Sequence, residues 1–172
     1  MTTRPIAIVT GASQARDIGA AICRQLAATG HDLVFTYFKA TADWPASFTT
    51  ELQNQGSRVL ALELDLSQAD AADELFAQLE GFGMPSILIN NAAHSTMTDW
   101  QTLDAKSLDQ HYAVNLRAPL LLATRFTNRF VEANLTSGRI IQLTSGQDLG
   151  PMPDEIAYAT TKGALSTFTK TY

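Results

Sequence analysis

Cysteine is almost absent. Cys23 is the only one in 172 residues, so no internal disulfide can form, and its place in a helical pattern reads as a small packed apolar residue. Metal-ligand clusters are missing too: His94 has no Cys or second His at ligand spacing, so no metal site is expected. Charge is sparse, at 17% with a formal net charge of -5, and no Lys/Arg cluster stands out. That argues against nucleic acid or an anionic membrane as the main partner. No apolar run is long enough to span a bilayer. Met1-Thr2-Thr3-Arg4-Pro5 leads straight into a strand-like segment, without the pattern of a signal peptide, so the expected compartment is the cytoplasm. Repeats, low-complexity tracts and linkers are lacking, which makes one domain over 1–172 the simplest reading. What is plentiful is apolar side chain, 45% of the chain, enough for a core.

The apolar segments alternate in type. Ile6-Ala7-Ile8-Val9 is a continuous run of the kind a strand buried on both faces shows. It ends at Thr10-Gly11-Ala12-Ser13, and a helix is expected over Ile18–Ala28, stopped near Gly30. Asp32–Tyr37 reads as a second strand, 46–55 as a short helix, Val59–Leu64 as a third strand running into Asp65-Leu66, and Ala69–Leu79 as a helix. Ile87–Ile89 is a fourth strand, followed by Asn90-Asn91-Ala92-Ala93. One long helix is expected over Lys106–Ala133, a fifth strand over Arg139–Thr144, and a last helix from Glu155. Strands alternating with helices predict an α/β fold, a Rossmann-like doubly wound parallel sheet. Its ligand crevice is expected at the carboxyl ends of the first and fourth strands, where Gly11, Asp65, Asn90 and Ser145 collect.

The stretch Ser145–Lys162 concentrates the chemistry. A serine ends an apolar run, a Gly/Pro-rich loop follows, and a helix then carries Tyr158 and Lys162. Four residues is one helical turn, so phenol and ammonium share a face. A free tyrosine has a pKa of about 10, and a cation close by favours the phenolate. Bringing such a group to neutrality takes about 4 kcal/mol of differential interaction, within reach of a close, partly desolvated amine.

Taken together, these motifs resemble the short-chain dehydrogenase/reductase family, in its single-domain form similar to 3-oxoacyl-acyl-carrier-protein reductases. Thr10-Gly11-Ala12-Ser13 with Ile18-Gly19 resembles the cofactor loop, Asp65-Leu66 the acidic residue beside the adenine, and Asn90-Asn91-Ala92-Ala93 the Asn-Asn-Ala-Gly turn. Asn115 matches the asparagine of the long helix, and Ser145, Tyr158 and Lys162 match the catalytic serine, tyrosine and lysine. Two departures accompany the match. Gly11 and Gly19 are separated by seven residues, a longer loop than usual and one without a middle glycine. The chain also stops inside the helix bearing Lys162, so the last two strands of the family and most of its substrate loop are absent, as in a C-terminally incomplete domain.

The resemblance implies hydride transfer between a nicotinamide cofactor and a small carbonyl/alcohol substrate, such as a 3-oxoacyl thioester or another small ketone. Tyr158 is the implied proton donor, Lys162 its activator and a partner of the nicotinamide ribose, Ser145 a donor to the carbonyl oxygen, and Asn115 the holder of a water linked to Lys162. Implied cofactor contacts come from Gly11, Ser13, Arg16, Ile18, Gly19, Tyr37, Lys39, Asp65, Leu66, Asn91, Ala92, Tyr158 and Lys162. The second strand ends in Tyr37-Phe38-Lys39, without the acid that often binds ribose hydroxyls. Lys39 and Arg16 suit a 2′-phosphate, which favours NADP(H) over NAD(H). Gln147, Leu149 and Met152 are candidates for the substrate pocket, His94 for the edge of the cleft. Trp44 and Trp100 read as packing anchors, and His111 as packed or surface. A homodimer or homotetramer is implied, with Leu120-Leu121-Leu122 and Phe126 available for a helical interface or for the sheet. The alternative is a non-catalytic dinucleotide-binding module or inactive fragment.

Overall fold

Five parallel strands lie in the order β3-β2-β1-β4-β5 in the computed structural model, which describes residues 4–172. They are β1 (Ile6–Val9), β2 (Asp32–Tyr37), β3 (Val59–Glu63), β4 (Ile87–Asn90) and β5 (Arg139–Gln142). Met1–Thr3, at the head of the segment read as lacking a leader, lie outside the described residues. Six α-helices connect or follow the strands: α1 (Ile18–Ala28), α2 (Trp44–Asn54), α3 (Ala71–Gln78), α4 (Ala105–Tyr112), α5 (Ala118–Glu132) and α6 (Ile156–Thr171). The chain steps outward from β1 in one direction to β3, then returns to pair β4 on the other side of β1. That reversal opens a crevice at the carboxyl ends of β1 and β4.

Both faces are covered at the central strand β1 and at the middle of β2 and β4, which is why Ile6–Val9, Leu33–Phe35 and Ile87–Ile89 are continuous apolar runs that do not alternate. Ala7, Val9, Leu33 and Phe35 pack against Ala20 and Cys23 of α1 and Phe48 and Leu52 of α2. Ile8, Val34 and Leu88 pack on the other face against Leu75 and Phe76 of α3 and Ala118, Leu122 and Phe126 of α5. The last three are four residues apart, a single helical stripe, and burying each large side chain contributes about 1.5–3 kcal/mol. Leu122 and Phe126 therefore belong to the sheet-facing core, whereas Leu121 is exposed on the opposite side. β5 and β3 are the two edges of the sheet among the described residues, and Ile141 on β5 is 46% exposed.

The helix expected over Lys106–Ala133 runs without a gap over 105–132, but its hydrogen-bond register changes midway. Ala113–Arg117 forms a π-turn between α4 and α5. Pro119 supplies the cause: it lacks the N–H that would bond the carbonyl of Asn115 four residues earlier, so the α ladder fails there. The bulge turns Asn115, fully buried, into the interior. Trp44 packs as expected, stacked on Phe48 with ring centroids 4.6 Å apart. Trp100 does not: it is 79% exposed, in the loop between β4 and α4.

Candidate active site

A cleft of about 410 Å³ opens over the strand ends. Gly11, Ser13, Gln14 and Asp17 line it from the loop after β1, Thr36, Tyr37 and Phe38 from β2, Leu64 and Leu66 from beyond β3, and Asn91 to His94 from beyond β4, with Val114 of the π-turn. Of the residues expected to contact a cofactor, Gly11, Ser13, Tyr37, Leu66, Asn91 and Ala92 line this cleft. Arg16, Ile18, Gly19, Lys39, Asp65, Tyr158 and Lys162 do not. The cleft thus leans towards β2 and β3. His94 does edge it, while Thr36, Leu64 and Val114, apolar or core-like in sequence, carried no signal of a site.

The loop after β1 is held by short polar contacts. Thr10 Oγ1 accepts from the amides of Asn91 and Ala92, both at 3.1 Å. The Asn91 amide group donates to the carbonyls of Thr10 at 2.8 Å and Gly11 at 2.9 Å. Gly11 has φ +76°, and a Cβ there would sit 2.7 Å from Ala92 Cα. A Cβ on Gly19 would sit 2.3 Å from the Gly11 carbonyl oxygen. Both glycines are required by close approach, one by backbone conformation as well. Asp17 stands where the middle glycine is missing. It caps α1 by accepting from Ala20 N at 2.7 Å, and its other oxygen accepts from Ser13 N at 2.7 Å and Gln14 N at 2.8 Å. The longer loop is thereby organised by its own carboxylate. Arg24 pins its outer side, donating to the Ala15 carbonyl at 2.8 Å and to Glu51, and Trp44 Nε1 donates to the Ala12 carbonyl at 3.0 Å.

At the β2 edge of the cleft, Ser13 Oγ accepts from Phe38 N at 3.1 Å. Lys39 has φ +51°, and its ammonium lies 4.9 Å from the Phe38 ring centroid. Burial opposes ionisation of Asp65, but hydrogen bonds from Gln68 and Ser67 and the charge of Lys39 outweigh it and hold its carboxyl below the usual range. Arg16 and Ile18 are solvent-facing, Ile18 at the outset of α1.

The residues expected to handle the proton lie towards the β5 side of the same sheet end. Lys162 is 2% exposed, and its Nζ donates to the Leu143 carbonyl at 2.7 Å, two residues before Ser145. The same Nζ lies 5.6 Å from the Tyr158 ring centroid. Burial pushes the Lys162 ammonium below the ordinary lysine value. Ser145 N donates to Gln147 Oε1 at 3.0 Å, which commits Gln147 to the loop itself. Asn115 Oδ1 accepts from His94 N at 2.7 Å, and its Nδ2 donates to His94 O at 2.8 Å and Thr161 Oγ1 at 3.2 Å. Both amide hydrogens are spent, so the side chain is a bolt between the β4 loop and α6, with only a lone pair left for water. His111 is buried, accepts from Thr96 N through Nε2 at 3.2 Å and so donates from Nδ1 to the Ser107 carbonyl at 2.8 Å. It packs edge-on to His94 at 4.6 Å, and burial holds His94 below its ordinary pKa. Leu149 is 92% exposed; it lines no enclosed pocket among those described. Among the described residues no group of three or more His, Cys, Asp or Glu side chains is placed to hold a metal, and no helix is long and apolar enough to cross a membrane.

Comparison with known proteins agrees with this geometry. The family model of the short chain dehydrogenases matches residues 5–172. An uncharacterized oxidoreductase of Bacillus subtilis (strain 168) is 52% identical over 166 residues, covering 96% of this chain and 66% of that protein. The L-xylo-3-hexulose reductase of Hypocrea jecorina is 33% identical, covering 97% of this chain and 60% of that protein. Among solved structures, an acetoin dehydrogenase from Enterobacter cloacae superposes with TM-score 0.90 at 27% identity, over 99% of this chain and 67% of the other. A 3-oxoacyl (acyl-carrier-protein) reductase from Agrobacterium tumefaciens with NADP bound superposes with TM-score 0.82 at 29% identity, over 93% of this chain and 60% of the other. The chain thus spans about two thirds or less of the first of these relatives' lengths. With its sheet order, its glycine-tight β1 loop and the Lys162–Tyr158 pair at the end of β5, this chain belongs to the short-chain dehydrogenase family.

Proposed function

We propose that this chain is the cofactor-binding and proton-handling part of an NADPH-dependent carbonyl reductase, a single dinucleotide-binding domain over 1–172 in a cytoplasmic homodimer or homotetramer. The observation that carries the reading is the buried Lys162 ammonium, 5.6 Å from the Tyr158 ring and anchored to the carbonyl of Leu143. A buried cation with no carboxylate partner among the described residues has one obvious electrostatic use here: it stabilises negative charge on the phenol.

The cleft suits a dinucleotide. The amides of Ile18 and Gly19, in the first turn of α1, donate to no acceptor among the described residues, which leaves them free to meet a phosphate at a helix N-terminus. Gly11, Ser13, Gly19, Asn91 and Ala92 would flank the pyrophosphate and ribose, Asp65 and Leu66 the adenine. Tyr37 and Lys39, with Arg16, would meet the 2′-phosphate and favour NADP(H), with NAD(H) as the weaker ligand. When bound, the nicotinamide supplies the hydride. Tyr158 gives its proton to the substrate oxygen as negative charge develops there. Lys162 would stabilise the phenolate left behind and would be the residue to hydrogen-bond the nicotinamide ribose. Ser145 donates a hydrogen bond to the same substrate oxygen. Asn115 keeps the β4 loop and α6 in register. The substrate is a small ketone or aldehyde, with a 3-oxoacyl thioester as one candidate.

Titration with NADPH and NADH, and turnover of a panel of carbonyl compounds followed by loss of NADPH absorbance, test the reading. Tyr158→Phe should bind NADPH as the parent does and lose turnover. Full turnover by that variant removes the phenol from the mechanism, and tighter binding of NADH than NADPH overturns the cofactor preference.

A further inference from the structure

We infer that Thr98 is a positioning residue for the Tyr158 helix, acting as an N-terminal cap supplied from a different part of the chain. The inference rests on the proposed role of Tyr158 as proton donor. The first amides of any helix lack internal partners and are normally met by a local Ser, Thr, Asp or Asn side chain. Helix α6 has no such cap: Glu155, at its N-terminal boundary, makes no side-chain capping bond. Thr98 performs the task from the loop after β4. Its carbonyl accepts from Ile156 N at 2.9 Å, and its Oγ1 accepts from Ala157 N at 3.1 Å. Its own amide donates to the Asp154 carbonyl at 2.8 Å, completing a parallel bridge between Thr98 and Glu155. Ser95 Oγ adds a bond to Glu155 at 3.2 Å. Thr98 is 3% exposed although the residues on either side of it, Met97 and Asp99, are not buried. A buried hydroxyl in a surface loop is there for its bond.

The other end of this loop is fastened equally firmly. Asn115 holds both backbone groups of His94, and His111 accepts from Thr96 N. Asn115 also reaches Thr161, whose Oγ1 donates to the Tyr158 carbonyl at 2.8 Å. Tyr158 is therefore bracketed, by Thr98 on the residue before it and by Thr161 on its own carbonyl. Both supports hang on a loop whose first residues, Ala92 to His94, line the cofactor cleft. A small rotation of the first turn of α6 would swing the phenol while leaving the cleft intact, and misplacement of about 1 Å can cost on the order of a hundredfold in rate.

Thr98→Val keeps the branched shape and deletes the acceptor; Thr98→Ser keeps the acceptor. The expected result is that Thr98→Val lowers kcat at least about tenfold with KM for NADPH changed less than about twofold, and that Thr98→Ser stays within about threefold of the parent. Hydrogen exchange gives a readout independent of turnover: the Ala157 amide should exchange at least about tenfold faster in Thr98→Val than in Thr98→Ser, with the Leu165 amide unchanged. Equal exchange at Ala157 in the two variants overturns the cap. Faster exchange with parental kcat overturns the positioning role, as does a Thr98→Ser variant as impaired as Thr98→Val. If the parent itself turns over no carbonyl compound, the functional reading fails while the exchange result still decides the cap.

Discussion

Replacing Lys162 by methionine separates the two things a buried amine does. The side chain loses its charge and one heavy atom of length. For stability, the lost bond to Leu143, a charged donor on a neutral carbonyl at 2.7 Å, removes about 1.5–3 kcal/mol. Against that, an ammonium 2% exposed no longer has to be stripped of water, a cost of several kcal/mol in its own right. The terms oppose, so Lys162→Met should unfold within about 2 kcal/mol of the parent, a shift of no more than about 8 °C in Tm. The pH dependence fixes the sign. Burial lowers the folded-state pKa of Lys162 below its unfolded value. Between the two values the unfolded chain binds more protons, so parental stability should rise with pH across that alkaline window. In Lys162→Met that rise should vanish. Chemistry responds differently. A unit charge 5.6 Å from the centroid of the phenol ring, in an effective dielectric of about 20, would attract a negative charge centred on that ring by about 3 kcal/mol. Its loss should lower kcat about a hundredfold in the NADPH absorbance assay, with the protein still folded by thermal melt. A variant that keeps parental kcat would refute the electrostatic role. A variant less stable by more than about 4 kcal/mol would refute the cancellation and make Lys162 a structural group.

Two further outcomes follow from contacts at the cleft and in the core. Gly19→Ala places a Cβ 2.3 Å from the Gly11 oxygen, where backbone must move; about 1–3 kcal/mol should be lost in urea unfolding, and NADPH binding should weaken because the first turn of α1 is displaced. Burial pushes the Cys23 thiol up to about 12, so the native protein at pH 8 should resist iodoacetamide while the urea-unfolded chain reacts at once, read by intact mass; rapid native alkylation would show that α1 opens from the sheet.

What sequence could and could not reveal divides by range. Elements defined by a local period were legible to the residue or nearly so: Asp32–Tyr37 and Ile18–Ala28 stand where the apolar pattern puts them, because a strand covered on both faces admits little but apolar side chains. The parallel arrangement followed from the alternation of strand and helix, and with it the expectation that Gly11, Asp65, Asn90 and Ser145 collect at one sheet end. The π-turn was written locally as well, in Pro119 four residues after Asn115, a signal overshadowed by the amphipathic stripe running through it. Trp100 misled because size alone suggests burial, whereas loop position decides it. Contacts between distant segments left no periodic trace. Thr98 and Ala157 are 59 residues apart, and nothing in the composition of either neighbourhood announces that one caps the other. Asp17 illustrates the same limit from the opposite side. Its carboxylate looks, in sequence, like a missing glycine in a phosphate loop. In three dimensions it is the acceptor that gathers Ser13, Gln14 and Ala20 and so gives the longer loop a defined shape before any ligand arrives. A site assembled from such bonds is recognised by the residue types it needs, but how those residues are held in place is decided by partners far along the chain.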